Sequence, residues 1–88
     1  MYYTYILYSV KYDRIYIGQT DNLIARFERH NQGKVKSTKA FRPWELIYHE
    51  EFQSRNEAMK REKELKSHKG RNWIREDLLY MKHNIEYH

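Results

Sequence analysis

The chain has 88 residues, no cysteine and a formal net charge of +5 at pH 7. A chain of this length forms one domain with a single modest core, which excludes a cleft between two lobes. The absence of cysteine excludes disulfide frameworks, thiolate zinc sites and cysteine nucleophiles. The first residues do not read as a signal sequence and no apolar run could span a bilayer, so we expect a cytoplasmic protein with no membrane partner.

Two tyrosine-containing stretches predict a β-hairpin near the start of the chain. The segment YTYIL at residues 3 to 7 and the segment YIG at residues 16 to 18 alternate as strands do, and residues 11 to 14 supply turn chemistry. If Tyr5 and Tyr16 share one sheet face, their hydroxyl groups converge where a proton could be moved or a phosphate held. The alternative is that aromatic residues are present only because they favour strands.

A first helix is predicted over residues 22 to 32. Residues 20 to 22 are all of types that cap helix N-termini, and a glycine follows the helix at position 33. Leu23 and Phe27 define the apolar stripe of this helix, and Arg26 and His30 fall on the same stripe. We therefore expect the arginine and the histidine to point toward the sheet.

The second half of the chain predicts one strand and two helices. Residues 44 to 52 are rich in aromatic and branched side chains, which indicates a third strand. Ser54 and Glu57 have the spacing of a capping box, so a second helix is expected from there to about Lys69, with Gly70 ending it. Apolar residues between positions 73 and 81 predict a third helix.

These elements predict the fold class and the domain layout. The fold is expected to be α/β of the α+β type, with a small three-stranded, mainly antiparallel sheet flanked by helices in the order β-β-α-β-α-α. One domain is expected over residues 1 to 82. A loosely ordered tail is expected over residues 83 to 88.

The second helix places a carboxylate on its buried face. Ala58 and Leu65 mark that face, and Glu62 lies between them. Burying a carboxylate or a guanidinium costs on the order of several kcal/mol unless the group is paired or binds a metal. A structural ion pair between Arg26 and Glu62 would satisfy both charges, and a bound metal would satisfy the glutamate.

Positive charge is concentrated in two segments. Residues 34 to 42 contain four basic and no acidic side chains, and residues 55 to 75 contain eight basic and three acidic ones. Such segments create a local potential that attracts a phosphate backbone. For residues 55 to 75 the alternative to nucleic-acid binding is that the charges only form the solvated face of a helix. This alternative is weaker for residues 34 to 42, because that acid-free segment has no helix to stabilise.

The order of these polar residues resembles the GIY-YIG nuclease superfamily, in particular its small single-domain bacterial members and the N-terminal domain of the excision-repair incision subunit. The positions that match the motifs of that superfamily are Tyr5, Tyr16, Gly18, Arg26, His30 and Glu62. The resemblance covers residues 2 to 80. This chain departs from the first of the two motifs that name the superfamily, which ends here at Tyr5. Tyr3 replaces the usual glycine of that motif, and Thr4 replaces its isoleucine.

The resemblance implies a metal-dependent endonuclease acting on DNA, in repair or recombination. Glu62 would hold one Mg²⁺ or Mn²⁺ ion, which accepts a single carboxylate and keeps most of its waters. Arg26 would clamp the scissile phosphate, and His30 would accept a proton or bond to a tyrosine. Resemblance favours Tyr5 as the base with Tyr16 in support, but the residues alone do not choose between them.

The resemblance and the charge pattern together give a predicted nucleic-acid-binding set. Its members are Gly18, Lys34, Lys36, Lys39, Arg42, Lys66, Lys69 and Arg71. Lys66 lies four residues after Glu62, so it could instead pair with that carboxylate. The competing hypotheses are a weakly catalytic or non-catalytic module that binds nucleic acid through residues 34 to 42 and 55 to 75, and a purely structural pairing in a partner-binding protein. RNA is a second candidate substrate, and a monomer is compatible with the sequence.

Overall fold

A computed structural model describes residues 1 to 80. Three strands run over Tyr2–Ser9 (β1), Arg14–Thr20 (β2) and Glu45–Phe52 (β3). Three helices run over Leu23–Asn31 (α1), Arg55–Lys66 (α2) and His68–Trp73 (α3). A short 3₁₀ turn occupies Lys39–Phe41, and α3 continues into a π-helical turn over Ile74–Leu79.

The three strands form one antiparallel sheet in the order β2-β1-β3. The predicted α+β fold, its three-stranded antiparallel sheet and its element order are confirmed. Tyr5 lies opposite Gly18, and Leu7 lies opposite Tyr16. Because directly opposed residues share a sheet face, the two tyrosines lie diagonally on the same face, which is the condition for their hydroxyl groups to converge.

The two faces of the sheet are covered by different helices. The face that carries Tyr5 and Leu7 packs with Trp44 and is covered by apolar residues of α1, among them Phe27. The opposite face carries a larger core in which Leu65 of α2 packs among isoleucines; its buried members are Ile6, Ile17, Ile47, Leu65, Ile74 and Leu79. The sheet is therefore the middle of three layers, with α1 on one side and α2 and α3 on the other.

A buried hydroxyl joins the central strand to α2. Thr4 is fully buried and its hydroxyl donates a 2.6 Å hydrogen bond to the carbonyl oxygen of Ala58. Thr4 replaces the isoleucine of the first motif, and the hydrogen bond accounts for a polar side chain at this buried position. The tyrosine that precedes it, Tyr3, is only partly buried and its ring packs edge-on against His49 of β3.

The predicted end of the second helix is wrong. The helix α2 ends at Lys66, because the backbone of Ser67 is extended (φ −66°, ψ 165°) and the Ser67 hydroxyl accepts the Gly70 N–H to cap α3. Gly70 is not a helix breaker, since it lies within α3. A Cβ atom there would lie 2.4 Å from the carbonyl oxygen of Glu64, so glycine is the residue that permits the close approach of the two helices.

Two expectations about the C-terminal part of the chain concern residues outside the described range. These are the contribution of Met81 to the third helix and the loose tail at residues 83 to 88. Within residues 1 to 80, no helix is long and apolar enough to cross a membrane.

Candidate active site

The buried phenol of Tyr5 occupies space that a glycine on the neighbouring strand leaves open. Tyr5 is 1% exposed, and its ring lies over Gly18 of β2. A Cβ atom at Gly18 would lie 2.6 Å from the Tyr5 hydroxyl and 3.0 Å from a ring carbon of Tyr16. The strand pairing of β2 is regular at this point, so Gly18 is not the site of a bulge. It makes room for the Tyr5 hydroxyl instead.

Local signals in the sequence place Arg26 and His30 over the same face. The helix α1 begins after Asn22, whose side chain accepts the Ala25 N–H at 3.2 Å. After the helix ends, Gly33 adopts a positive φ of 77°, a conformation that favours glycine. His30 is fully buried and Arg26 is partly buried. Both side chains therefore point toward the sheet, as predicted.

His30 lies at the centre of a buried hydrogen-bonded chain. Its Nε2 atom is 2.9 Å from the Tyr5 hydroxyl, and its Nδ1 atom is 2.8 Å from Oγ1 of Thr38. Burial, together with the positive charge of Arg26, lowers the pKa of His30 to about 4. The imidazole is thus neutral at physiological pH and can accept one hydrogen bond and donate another.

The guanidinium of Arg26 faces both tyrosine hydroxyls. A hydrogen bond with Tyr5 is the main cause that raises the pKa of Arg26, and Tyr16 contributes in the same direction. Burial raises the pKa of Tyr5 to about 12, although the hydrogen bond with Arg26 acts against this shift. Tyr5 therefore keeps its proton at neutral pH and holds the arginine in place.

Tyr16 is the more accessible of the two tyrosines. Its side chain is only partly buried. Its ring centroid lies 4.8 Å from that of His30, 6.3 Å from that of Tyr5 and 6.4 Å from that of Trp44. Trp44 is itself a buried core residue. Packing against these rings holds the Tyr16 phenol at the surface beside Arg26.

Glu62 belongs to α2, on the far side of the sheet from α1, yet its negative charge acts on the same group of residues. Its side chain is 21% exposed, and its charge is one of the causes that raise the pKa of Tyr5. The carboxylate binds the ammonium of Lys66, one helical turn further on. Within residues 1 to 80, no ion pair joins Glu62 to Arg26, so the pairing expected from a purely structural role is not formed.

The glutamate suits a metal that needs few protein ligands. No cluster of three or more His, Asp or Glu side chains that could enclose an ion occurs within residues 1 to 80. Mg²⁺ is commonly bound through one or two carboxylates, with waters and substrate oxygens completing its shell. The Glu62 carboxylate is paired with Lys66 in the same helix, and the Lys66 side chain is exposed.

The predicted basic residues lie on two sides of the sheet. Lys34, Lys36, Lys39 and Arg42 are exposed in the loop after α1, on the side of the tyrosines. This loop is joined to the site through Thr38, whose carbonyl oxygen also accepts the Trp44 indole N–H at 2.9 Å. Lys66, Lys69 and Arg71 lie where α2 meets α3, on the other side, and Arg71 donates to the Lys66 carbonyl oxygen.

Two features of this side of the sheet are not predicted by the sequence. The first is Thr38, which lies in the basic segment 34 to 42 but is buried. The second is a cluster at the hairpin tip, in which Tyr12 contacts Phe41 edge-on at 5.5 Å and Arg14 lies 4.3 Å over the Phe41 ring. The mixture of basic and aromatic residues at positions 11 to 14 is a signal that could have identified this cluster.

Comparison with known proteins places this geometry in a family. The family model described as the GIY-YIG catalytic domain matches residues 1–75. The chain belongs to the GIY-YIG family. All of Tyr5, Tyr16, Arg26, His30 and Glu62 fall within the matched residues of this GIY-YIG domain.

Several relatives carry the name UPF0213 protein. One from Staphylococcus haemolyticus is 47% identical over 66 residues, which cover 74% of this chain and 79% of the relative. Another from Pediococcus pentosaceus is 46% identical over 66 residues, covering 74% of this chain and 68% of the relative. The solution NMR structure of a UPF0213 protein from Bacillus halodurans is 33% identical, has a TM-score of 0.50, and matches 84% of this chain and 82% of that one.

Proposed function

We propose that this GIY-YIG protein is an endonuclease that hydrolyses DNA phosphodiester bonds with one divalent cation bound at Glu62. The observation that carries the proposal is the grouping of Tyr5, Tyr16 and His30 on one sheet face, with the Tyr5 hydroxyl 2.9 Å from Nε2 of His30. The partly buried Arg26 of α1 acts on both phenols from the same side. A guanidinium next to a phenol can bind a phosphate oxygen while the phenol binds the attacking water beside it.

Arg26 would bind the scissile phosphate. Its guanidinium is always charged and offers several donors in one plane, so it can hold two phosphate oxygens at once. It also stabilises the negative charge that develops on those oxygens in the transition state. Tyr5 supports this role, because its interaction with the guanidinium raises the pKa of Arg26.

Tyr16 is our candidate for the group that orients and deprotonates the attacking water. The reason is access: Tyr16 reaches the surface, whereas Tyr5 is 1% exposed and its pKa is raised to about 12. The positive charge of Arg26 acts beside this phenol and would hold the phosphate next to the water. This assignment reverses the preference for Tyr5 that the resemblance suggested, and His30 then acts on Tyr5 and not on the water.

Glu62 would hold the Mg²⁺ or Mn²⁺ ion. The bound ion would supply positive charge for the leaving oxygen and the scissile phosphate. The loop at residues 34 to 42 would bind the phosphate backbone on the same side of the sheet, and the hairpin tip with Arg14 would extend that surface. A cytoplasmic location and a role in DNA repair or recombination belong to this proposal.

The test compares matched variants on defined DNA. Nicking of plasmid DNA and of labelled single-stranded, duplex and branched oligonucleotides is measured with Mg²⁺, with Mn²⁺ and with a chelator. Glu62→Gln and Arg26→Gln should lower the cleavage rate by roughly 100-fold or more, because each removes a charge that acts in the transition state. The controls are Glu64→Gln and Arg29→Gln, which change exposed residues of the same two helices.

The second candidate function is a nucleic-acid-binding module with little or no cleavage, favoured by the acid-free basic loop at residues 34 to 42. It predicts that the protein binds DNA or RNA with an affinity that falls as salt increases, and that this affinity is the same for the wild-type protein and Glu62→Gln. It also predicts that no substrate is cleaved. If the wild-type protein cuts without a divalent ion, or if Glu62→Gln cuts as fast as Glu64→Gln, the proposed metal site is wrong.

A further inference from the structure

A threonine outside the proposed catalytic group contacts it through a buried hydrogen bond. Thr38 is 1% exposed, its Oγ1 atom is 2.8 Å from Nδ1 of His30, and the other ring nitrogen contacts Tyr5 at 2.9 Å. Tyr5, His30 and Thr38 are all buried, so the protons along this chain are set by the protein and not by water.

The Thr38 end of the chain specifies one direction for the protons. The hydroxyl of Thr38 also faces the carbonyl oxygen of Val35, at 3.4 Å. A carbonyl oxygen can only accept, so in this contact the Thr38 hydroxyl donates its single proton to Val35, whose oxygen also accepts the N–H groups of Thr38 and Lys39 at 3.1 and 3.0 Å. The oxygen of Thr38 then accepts from His30, which places a proton on Nδ1.

The Tyr5 end of the chain specifies the same direction. The guanidinium of Arg26 can only donate, so the Tyr5 oxygen accepts from it. The hydroxyl proton of Tyr5 is then directed to Nε2 of His30, which must be unprotonated. The 3.4 Å contact of Thr38 with Val35 and the positive charge of Arg26 beside Tyr5 therefore favour the same histidine tautomer.

We propose that Thr38 is a positioning residue that holds His30 as its Nδ1–H tautomer, so that Nε2 accepts the Tyr5 proton and the Tyr5 oxygen stays available to Arg26. The inference rests on the proposed function and deepens it. Without the threonine hydroxyl, His30 loses the acceptor for its Nδ1 proton. The ring can then carry its proton on Nε2, which would turn the Tyr5 oxygen into an acceptor from His30 and weaken its hold on Arg26.

The backbone around Thr38 explains how a loop residue can do this. The Trp44 indole donates to the Thr38 carbonyl oxygen at 2.9 Å, and the Thr38 N–H donates to Val35 at 3.1 Å. Thr38 lies between Lys36 and Lys39, which are exposed. In this loop the lysine side chains are exposed and could contact phosphate, whereas the threonine side chain is buried and contacts His30.

The decisive measurement is the tautomer of His30, recorded by long-range ¹H–¹⁵N NMR at neutral pH without DNA. The wild-type protein and Thr38→Ser should both show a protonated Nδ1 and an unprotonated Nε2. Thr38→Val, which keeps the shape but removes the hydroxyl, should show a mixture or the opposite tautomer. Its kcat for cleavage should fall roughly tenfold or more with little change in KM, and Thr38→Ser should restore it.

Several outcomes would overturn the inference. A wild-type His30 protonated on Nε2 would do so at once, as would a Thr38→Val protein that keeps both the Nδ1–H tautomer and full activity. If Thr38→Val does not fold, Thr38→Ala takes its place under the same criteria. A wild-type protein that cuts no DNA contradicts the proposed function, whereas the tautomer is read without any cleavage, so the two failures are distinguishable.

Discussion

Gly18 shows how a single missing side chain shapes the site. The nearest atoms to a Cβ at this position belong to the phenol of Tyr5, which contacts His30 through the same hydroxyl. A methyl group would therefore displace the hydroxyl that bonds β1 to His30 of α1. Position 18 is a glycine because the phenol of Tyr5 requires the space that a side chain there would fill.

We expect Gly18→Ala to move the Tyr5 hydroxyl away from His30. The protein should lose about 1 to 3 kcal/mol of unfolding free energy, which is typical of overpacking in a core. Cleavage should fall by more than the change in stability explains. Urea unfolding and cleavage assays would measure both effects, with Gly18→Ala/Tyr5→Phe as the control because it removes the crowded oxygen. Equal stability of Gly18→Ala and the wild-type protein would contradict this account.

At the scale of elements, the chain shows which signals are local. The hairpin, α1 and β3 lie within a residue or two of the predicted limits, because their capping residues and alternating pattern depend only on residues close together in the sequence. The end of α2 could not be predicted in the same way. Gly70 looks like a helix breaker in sequence, but its role depends on how closely α3 approaches the last carbonyl groups of α2.

The contact between α2 and α3 gives a second prediction. In Gly70→Ala the new methyl group would meet the Glu64 and Leu65 carbonyl oxygens at about 2.4 to 2.5 Å, and backbone atoms cannot rotate away. We expect a loss of about 1 to 3 kcal/mol in unfolding free energy, with the fold of the hairpin retained. Thermal unfolding would measure the loss. Ser54→Gly, at the other end of α2, offers a comparison that weakens a cap without crowding.

At the scale of the whole molecule, the candidate site brings together residues from both sides of the sheet. Tyr5, Tyr16, Arg26 and His30 could be grouped from strand alternation and helix spacing alone. Thr38 could not, because nothing in residues 34 to 42 indicates which side chain turns inward. The relation of Glu62 to the tyrosines also depends on how α2 packs against the opposite face, which sequence spacing does not encode.

The stability of the whole molecule should depend on pH through His30. An imidazole in the unfolded chain binds a proton as the pH falls below its usual pKa of 6.5, whereas the pKa of His30 in the folded protein is about 4. Between these values the unfolded state holds more protons, so the free energy of unfolding should fall as the pH drops from 6.5 toward 4. The loss should be about 2 to 3 kcal/mol, because one pKa unit corresponds to about 1.4 kcal/mol.

Chemical denaturation at several pH values between 4 and 7 would measure this dependence. In His30→Gln the part due to the histidine should disappear, while the contributions of carboxylates such as Glu50, whose pKa is lowered by Tyr48 and Arg61, remain. A wild-type protein and a His30→Gln variant with parallel pH profiles would show that the imidazole is not held neutral by the fold.

The strand order has a consequence for how the protein forms during synthesis. The central strand β1 precedes both of its neighbours in the chain, and β2 follows after a short turn, but β3 begins only at Glu45. Until the ribosome has released β3, one edge of an apolar, tyrosine-rich strand remains unpaired. Chains that stop before residue 45 would expose that edge to one another. We therefore expect truncated fragments of this protein to aggregate, although the complete sheet leaves β1 with no free edge.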